Sequence, residues 1–110
     1  MTLEATLDVT VNDTIVFVFQ VVNAGTESVE LTFRTGQAAD LVIYDAETGE
    51  TVWQWSDGRM FTQAVERITL NSEEVFKQEF VWGDPSPGTY TAVATCKANT
   101  SVEARTDFSI

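Results

Sequence analysis

Turn signals cut this chain into short apolar runs at nearly even spacing, and that punctuation leaves few folds open. Asn12-Asp13, Asn23-Ala24-Gly25, Thr35-Gly36-Gln37, Glu47-Thr48-Gly49, Ser56-Asp57-Gly58, Asp84-Pro85-Ser86-Pro87-Gly88 and Ala98-Asn99-Thr100 separate runs rich in Thr and Val. Gly admits positive φ, Pro presets φ, and Asn or Asp bonds its own backbone, so each signal carries its own reason to turn. Strands of this length, with a turn every eight to twelve residues, indicate a β-sandwich or barrel.

The runs themselves alternate. Leu3, Ala5, Leu7, Val9 and Val11 interleave with Glu4, Thr6, Asp8 and Thr10, which gives one dry and one wet face. Residues 14–23 contain IVFVFQVV, apolar on both faces, the pattern of a central strand with core on one side and a loop or hairpin on the other. Val29, Leu31 and Phe33 form the next dry face. Residues 40–45 and 50–56 read as a hairpin. Residues 64–70 alternate with a phase slip between Val65 and Ile68. Residues 74–82 put Phe76, Gln78, Phe80 and Trp82 on one face, and residues 89–97 and 102–110 complete the set. No window sustains helical periodicity. The expectation is an all-β, antiparallel chain of about eight or nine strands in two sheets.

A length of 110 residues suits one domain spanning residues 1–110. Such a domain buries roughly 60–70% of the surface its unfolded chain exposes, enough for a core without disulfide or metal. No apolar run approaches the roughly 20 residues of a membrane span, and MTLEATLDV does not read as a secretory signal, so no membrane association is expected. Cys96 is the only cysteine, which rules out an internal disulfide and fits a reducing, cytoplasmic setting. On a strand it reads as a small apolar residue.

Seventeen acidic residues against six basic ones give a net charge of −11. The acids are scattered and lysine is confined to Lys77 and Lys97, which favours a surface adapted to a salt-rich cytoplasm over one built for a basic partner. In molar salt the Debye length is about 3 Å, so these carboxylates would be screened from one another. There is no basic stripe to displace counterions from a phosphate backbone, and nucleic acid is not an expected partner.

Histidine is absent, which removes the Ser-His-Asp and Cys-His triads and His-ligated zinc. The carboxylates fall mostly at turns and on wet faces, where their acidity is hard to tune. An enzyme is not expected, nor a cofactor or metal. Residues 45–50 have a calcium-loop flavour but lack the length and terminal Glu of an EF-hand, and read as an acidic hairpin turn.

Residues 33–63 hold the densest cluster of signals. Trp53 and Trp55 are two apart and share one strand face, as core filling or as an exposed aromatic platform for a peptide or sugar. Trp82, beside Gly83-Asp84-Pro85 at a strand end, is a candidate exposed corner for a partner. Asp57, Gly58, Arg59 and Met60 lie between two aromatic anchors, Trp55 and Phe61; a loop held at both ends avoids an ordering cost on binding. Asp40, if buried, needs donors, and the Gly36-Gln37 backbone or Arg34 would supply them.

The order VVNAGTESVELTF, TGQ, AD, VIYD, TG and VWQWSDGRMFTQ, followed by a strand, an acidic turn, Phe80-x-Trp82 and PGTY, resembles the intracellular proteinase inhibitor (BsuPI) family. The likeness spans residues 3–110. Asn23 and Gly25 match one turn; Gly36, Gln37 and Asp40 match a Gly-Gln-x-x-Asp piece; Trp53, Trp55, Ser56, Phe61 and Gln63 match a Trp-x-Trp-Ser…Phe-x-Gln piece; and Pro87, Gly88, Thr89 and Tyr90 match the entry to a late strand. Ala39 stands where an aromatic is common, and Asn71-Ser72-Glu73-Glu74 lacks an expected Pro-Gly. The resemblance implies an immunoglobulin-like β-sandwich that inhibits an intracellular subtilisin-type serine protease; the loop Asp57–Met60 and Trp82, read from the residues themselves, are the candidate contacts. The alternatives are a monomeric protein-interaction module docking another protein through a sheet edge or the Trp82 corner, and a carbohydrate-binding module.

Overall fold

The structure, a computed structural model, describes residues 2–110. Nine strands follow in chain order: β1 (Leu3–Val11), β2 (Ile15–Asn23), β3 (Val29–Phe33), β4 (Ala39–Asp45), β5 (Thr51–Gln54), β6 (Glu66–Leu70), β7 (Val75–Trp82), β8 (Thr89–Cys96) and β9 (Glu103–Ser109). All pairings are antiparallel: β1-β2-β7 form one sheet, β5-β4-β8-β9 a second, and β3 pairs with β6. No helix occurs among the described residues. The architecture is an immunoglobulin-like β-sandwich.

Period-two alternation builds the core. Along β2, Ile15, Phe17, Phe19 and Val21 point inward and are fully buried. Along β8, Tyr90, Ala92, Ala94 and Cys96 do the same. Register sets large against small: Leu41 faces Ala94 and Ile43 faces Ala92 across β4 and β8, which leaves room for Phe17, Phe19 and Phe80 from the other sheet. The second face of β2, with Val16, Val18 and Val22, is half-buried.

Polar anchors close the sandwich ends. Asn23 is buried; its Nδ2 donates to the carbonyls of Glu27 at 2.7 Å and Leu70 at 2.9 Å, and its Oδ1 accepts from Gly25 N at 3.0 Å. One side chain thus ties β2 to the turn before β3 and to the end of β6. Tyr90 folds back to donate its hydroxyl to the Ser86 carbonyl at 2.7 Å. Gly88 lies close beneath it: a Cβ there would sit 3.0 Å from that hydroxyl, so a larger residue would press on the Tyr90 ring.

Two boundaries depart from the sequence reading by two residues, the others by one at most. β6 starts at Glu66, not residue 64, because residues 61–65 run as an irregular segment with Val65 exposed. β5 ends at Gln54, so Trp55 and Ser56 begin the loop that follows it.

Candidate functional site

The connection from β5 to β6 is an irregular loop of residues 55–65. Its start is held by Asp40. That carboxylate is only 4% exposed although it lies on β4, and it accepts four hydrogen bonds. Oδ1 accepts from Leu41 N at 2.9 Å and Ser56 N at 3.1 Å; Oδ2 accepts from Gln54 Nε2 and Ser56 Oγ, both at 2.7 Å. A buried carboxylate is tolerated because each oxygen is multiply satisfied. The expected donors are corrected: Arg34 is exposed, and neither it nor the Gly36-Gln37 backbone supplies these bonds. Gln37 braces its own turn instead, its N donating to Thr35 Oγ1 at 3.1 Å and its Nε2 to the Ala39 carbonyl at 3.3 Å.

The far end of the loop is held by Gly36. Its N donates to the Thr62 carbonyl at 2.9 Å. A Cβ at this position would lie 2.6 Å from Thr62 Oγ1 and 3.3 Å from Thr62 N, so any other residue here would force the hydroxyl to rotate and the backbone of residue 62 to give slightly. Residues 36–40 therefore grip both feet of the loop, Thr62 through Gly36 and Ser56 through Asp40.

Between the feet, aromatic packing sets the path. Trp53 stacks on Trp82 with centroids 6.0 Å apart, and Trp55 meets Phe80 edge-on at 5.1 Å and Phe61 at 5.8 Å. The two indoles share the inward side, as their spacing requires. Each is half-buried and covered by another ring, so they form no open platform.

After Trp55 the chain turns sharply. Asp57 N donates to the Gln54 carbonyl at 3.1 Å, and Arg59 N to the Ser56 carbonyl at 3.0 Å. Gly58 has φ +77°, the value the third position of a type II turn requires. Arg59 then folds back over the loop's own base. Its Nε donates to the Trp55 carbonyl at 2.7 Å, and its guanidinium carbon lies 4.3 Å from the Trp55 ring centre. Met60, the next residue, is 97% exposed, and Phe61 returns to the Trp55 ring.

Trp82 requires a correction. It is 5% exposed, stacked on Trp53 and met edge-on by Tyr90 at 5.2 Å and Phe108 at 6.4 Å. Its place at a strand end suggested a corner open to a partner; the inward register of β7 buries it instead. In residues 45–50, the Asp45 carboxylate accepts from Glu47 N at 2.8 Å and Thr48 N at 3.2 Å, and so serves the hairpin turn. Among the described residues no group of three metal-ligating side chains gathers.

Sequence reasoning singled out Asp57, Gly58, Arg59 and Met60, and the fold brings them together on this loop with Trp55 and Phe61. It did not assign Gln54, Ser56 and Thr62 their gripping roles. Ser56 was present in the Trp-x-Trp-Ser motif, and Gln54 is the outward residue between the two tryptophans.

Residues 3–101 match the family model of BsuPI, intracellular proteinase inhibitor. No curated protein matches the chain. Among solved structures, a CARDB domain from Pyrococcus furiosus, solved in complex with di-metal ions, is 19% identical with a TM-score of 0.53, covering 98% of this chain and 86% of that one. A β-glucosidase from Kluyveromyces marxianus in complex with glucose is 12% identical with a TM-score of 0.54, covering 99% of this chain but 14% of the enzyme. At these identities the structural likenesses speak to the fold alone.

Proposed function

The chain belongs to the intracellular proteinase inhibitor (BsuPI) family, and on that premise we propose that it inhibits a subtilisin-type serine protease by seating residues 56–61 in the protease cleft. The observation that carries this reading is the double grip on the loop. Ser56 is tied to Asp40 and Thr62 to Gly36, while Met60 stands clear between them. A loop already ordered before binding loses little conformational entropy when it docks, so contact energy appears as affinity. The protein acts as a monomeric, non-enzymatic partner of the protease in a salt-rich cytoplasm, where its acidic surface is screened.

The direct test is a titration against an intracellular subtilisin-type protease in molar salt, read as residual activity on a small peptide substrate. Stoichiometric loss of activity with the protein left intact supports the reading. Undiminished activity, or steady digestion of the protein, removes it for that protease class. A second reading, a non-inhibitory interaction module, is favoured by β7. This strand ends its sheet and carries exposed Val75 and Val81, an edge on which an extended segment could pair. Substitution of the loop would leave such docking unchanged.

A further inference from the structure

The geometry points to Met60 as the side chain that fills the protease specificity pocket, with Arg59 as an internal strut, so that the target has an apolar pocket rather than an acidic one. This inference rests on the inhibitory reading above and says what kind of protease it addresses. From composition the two neighbours are equal candidates: Arg59 would suit a pocket with a carboxylate at its base, and Met60 an uncharged one.

The structure separates them. Arg59 is engaged three ways within its own loop, through its N on Ser56, its Nε on the Trp55 carbonyl and its guanidinium over the Trp55 ring. Reaching into a pocket would forfeit the last two contacts and uncover Trp55. Met60 has none of these ties and stands 97% exposed. Both of its neighbours are anchored on the same indole, Arg59 by stacking and Phe61 by ring packing at 5.8 Å. An unbranched thioether held out between two fixed neighbours is suited to an apolar slot, because its flexible chain adapts to the walls and its burial is gained only on binding. The residues on both sides of Met60 keep the chain in place while it is held there.

The test uses the intact protein and its Met60→Gly, Met60→Lys and Arg59→Gln variants. Each is titrated against two serine proteases, a subtilisin-type enzyme with an apolar specificity pocket and a trypsin-type enzyme with an acidic one. The expected result is inhibition of the first enzyme, weakened by about 10- to 100-fold in Met60→Gly. Met60→Lys should lose the first enzyme comparably. Arg59→Gln should weaken inhibition while leaving the preference between the two enzymes unchanged. Met60 is exposed, so its variants fold, and an unchanged urea midpoint verifies it. If the parent inhibits the apolar-pocket enzyme but Met60→Gly does so equally well, the pocket assignment is overturned and the inhibitory reading stands. If the parent prefers the trypsin-type enzyme and Arg59→Gln abolishes this, Arg59 fills the pocket. If the parent inhibits neither, the inhibitory reading fails and the assignment with it.

Discussion

Arg59 lies across Trp55, with its guanidinium carbon 4.3 Å from the ring centre and its Nε on the Trp55 carbonyl at 2.7 Å. The only positive charge on the loop is therefore spent on the loop's own base. Removing this strut is expected to change mobility more than overall stability. Arg59→Ala should lower unfolding free energy by about 0.5–1 kcal/mol, the size of an exposed cation–π contact. The same variant should be cut by the protease within residues 58–61 at least several times faster. Urea unfolding and mass spectrometry of the digest measure the two effects. Arg59→Lys should recover little, since an ammonium cannot reproduce the planar stack.

Asp40→Ala should be far more damaging. It removes the acceptor of Ser56 N, Ser56 Oγ and Leu41 N, and leaves Gln54 Nε2 only its longer bond, at 3.2 Å, to Ser56 Oγ. A loss of about 3 kcal/mol in urea unfolding is expected, on the order of one or two unsatisfied buried groups.

Gly36→Ala tests the other foot. The new methyl meets Thr62 Oγ1 and the Thr62 backbone N. The hydroxyl can rotate away but the backbone must shift, so stability should fall by about 1 kcal/mol. Inhibition should fall disproportionately because the loop foot moves. Gly36→Ala combined with Thr62→Ala should restore part of the stability and little of the inhibition. Parallel urea and inhibition titrations check both.

Trp82→Ala should cost about 3–5 kcal/mol, as expected for emptying a buried aromatic site. Trp82→Phe should keep the fold and inhibit like the parent, since the side chain faces the core. A loss of inhibition in well-folded Trp82→Phe would restore Trp82 as a contact residue. Near-ultraviolet circular dichroism reports the folded state.

Burial pushes the pKa of the Cys96 thiol up, making it less acidic than an ordinary thiol, against a smaller opposing hydrogen bond with the Ala98 backbone. The folded state favours the neutral thiol more than the unfolded chain does. Its contribution to stability is complete below about pH 9 and is lost as pH rises through the folded value. Unfolding midpoints should drop as pH rises above about 9 in the parent, and drop less in Cys96→Ala.

Much of the fold was legible because the inward residues of β1, β2, β7 and β8 obey a strict period of two. The hidden part depends on contacts between distant positions. Asp40 could be read as a buried carboxylate in need of donors, but Gln54 and Ser56 lie 14 and 16 residues away and reach it only through the β4–β5 register. The closeness of Gly36 to Thr62 leaves no local pattern at either position. Trp82 was misread because its neighbours Gly83-Asp84-Pro85 speak for a turn, while the strand phase, which places it with Phe80, determines its burial.

The two grips have a consequence for how such a chain can change over generations. Residues 36–40 and the aromatic rungs carry the architecture, whereas Asp57 and Met60 touch little else in the protein. Substitutions at the apex can then accumulate without endangering the folded state. The same separation makes the apex a cassette in which residues can be exchanged in the laboratory one at a time while the frame is kept.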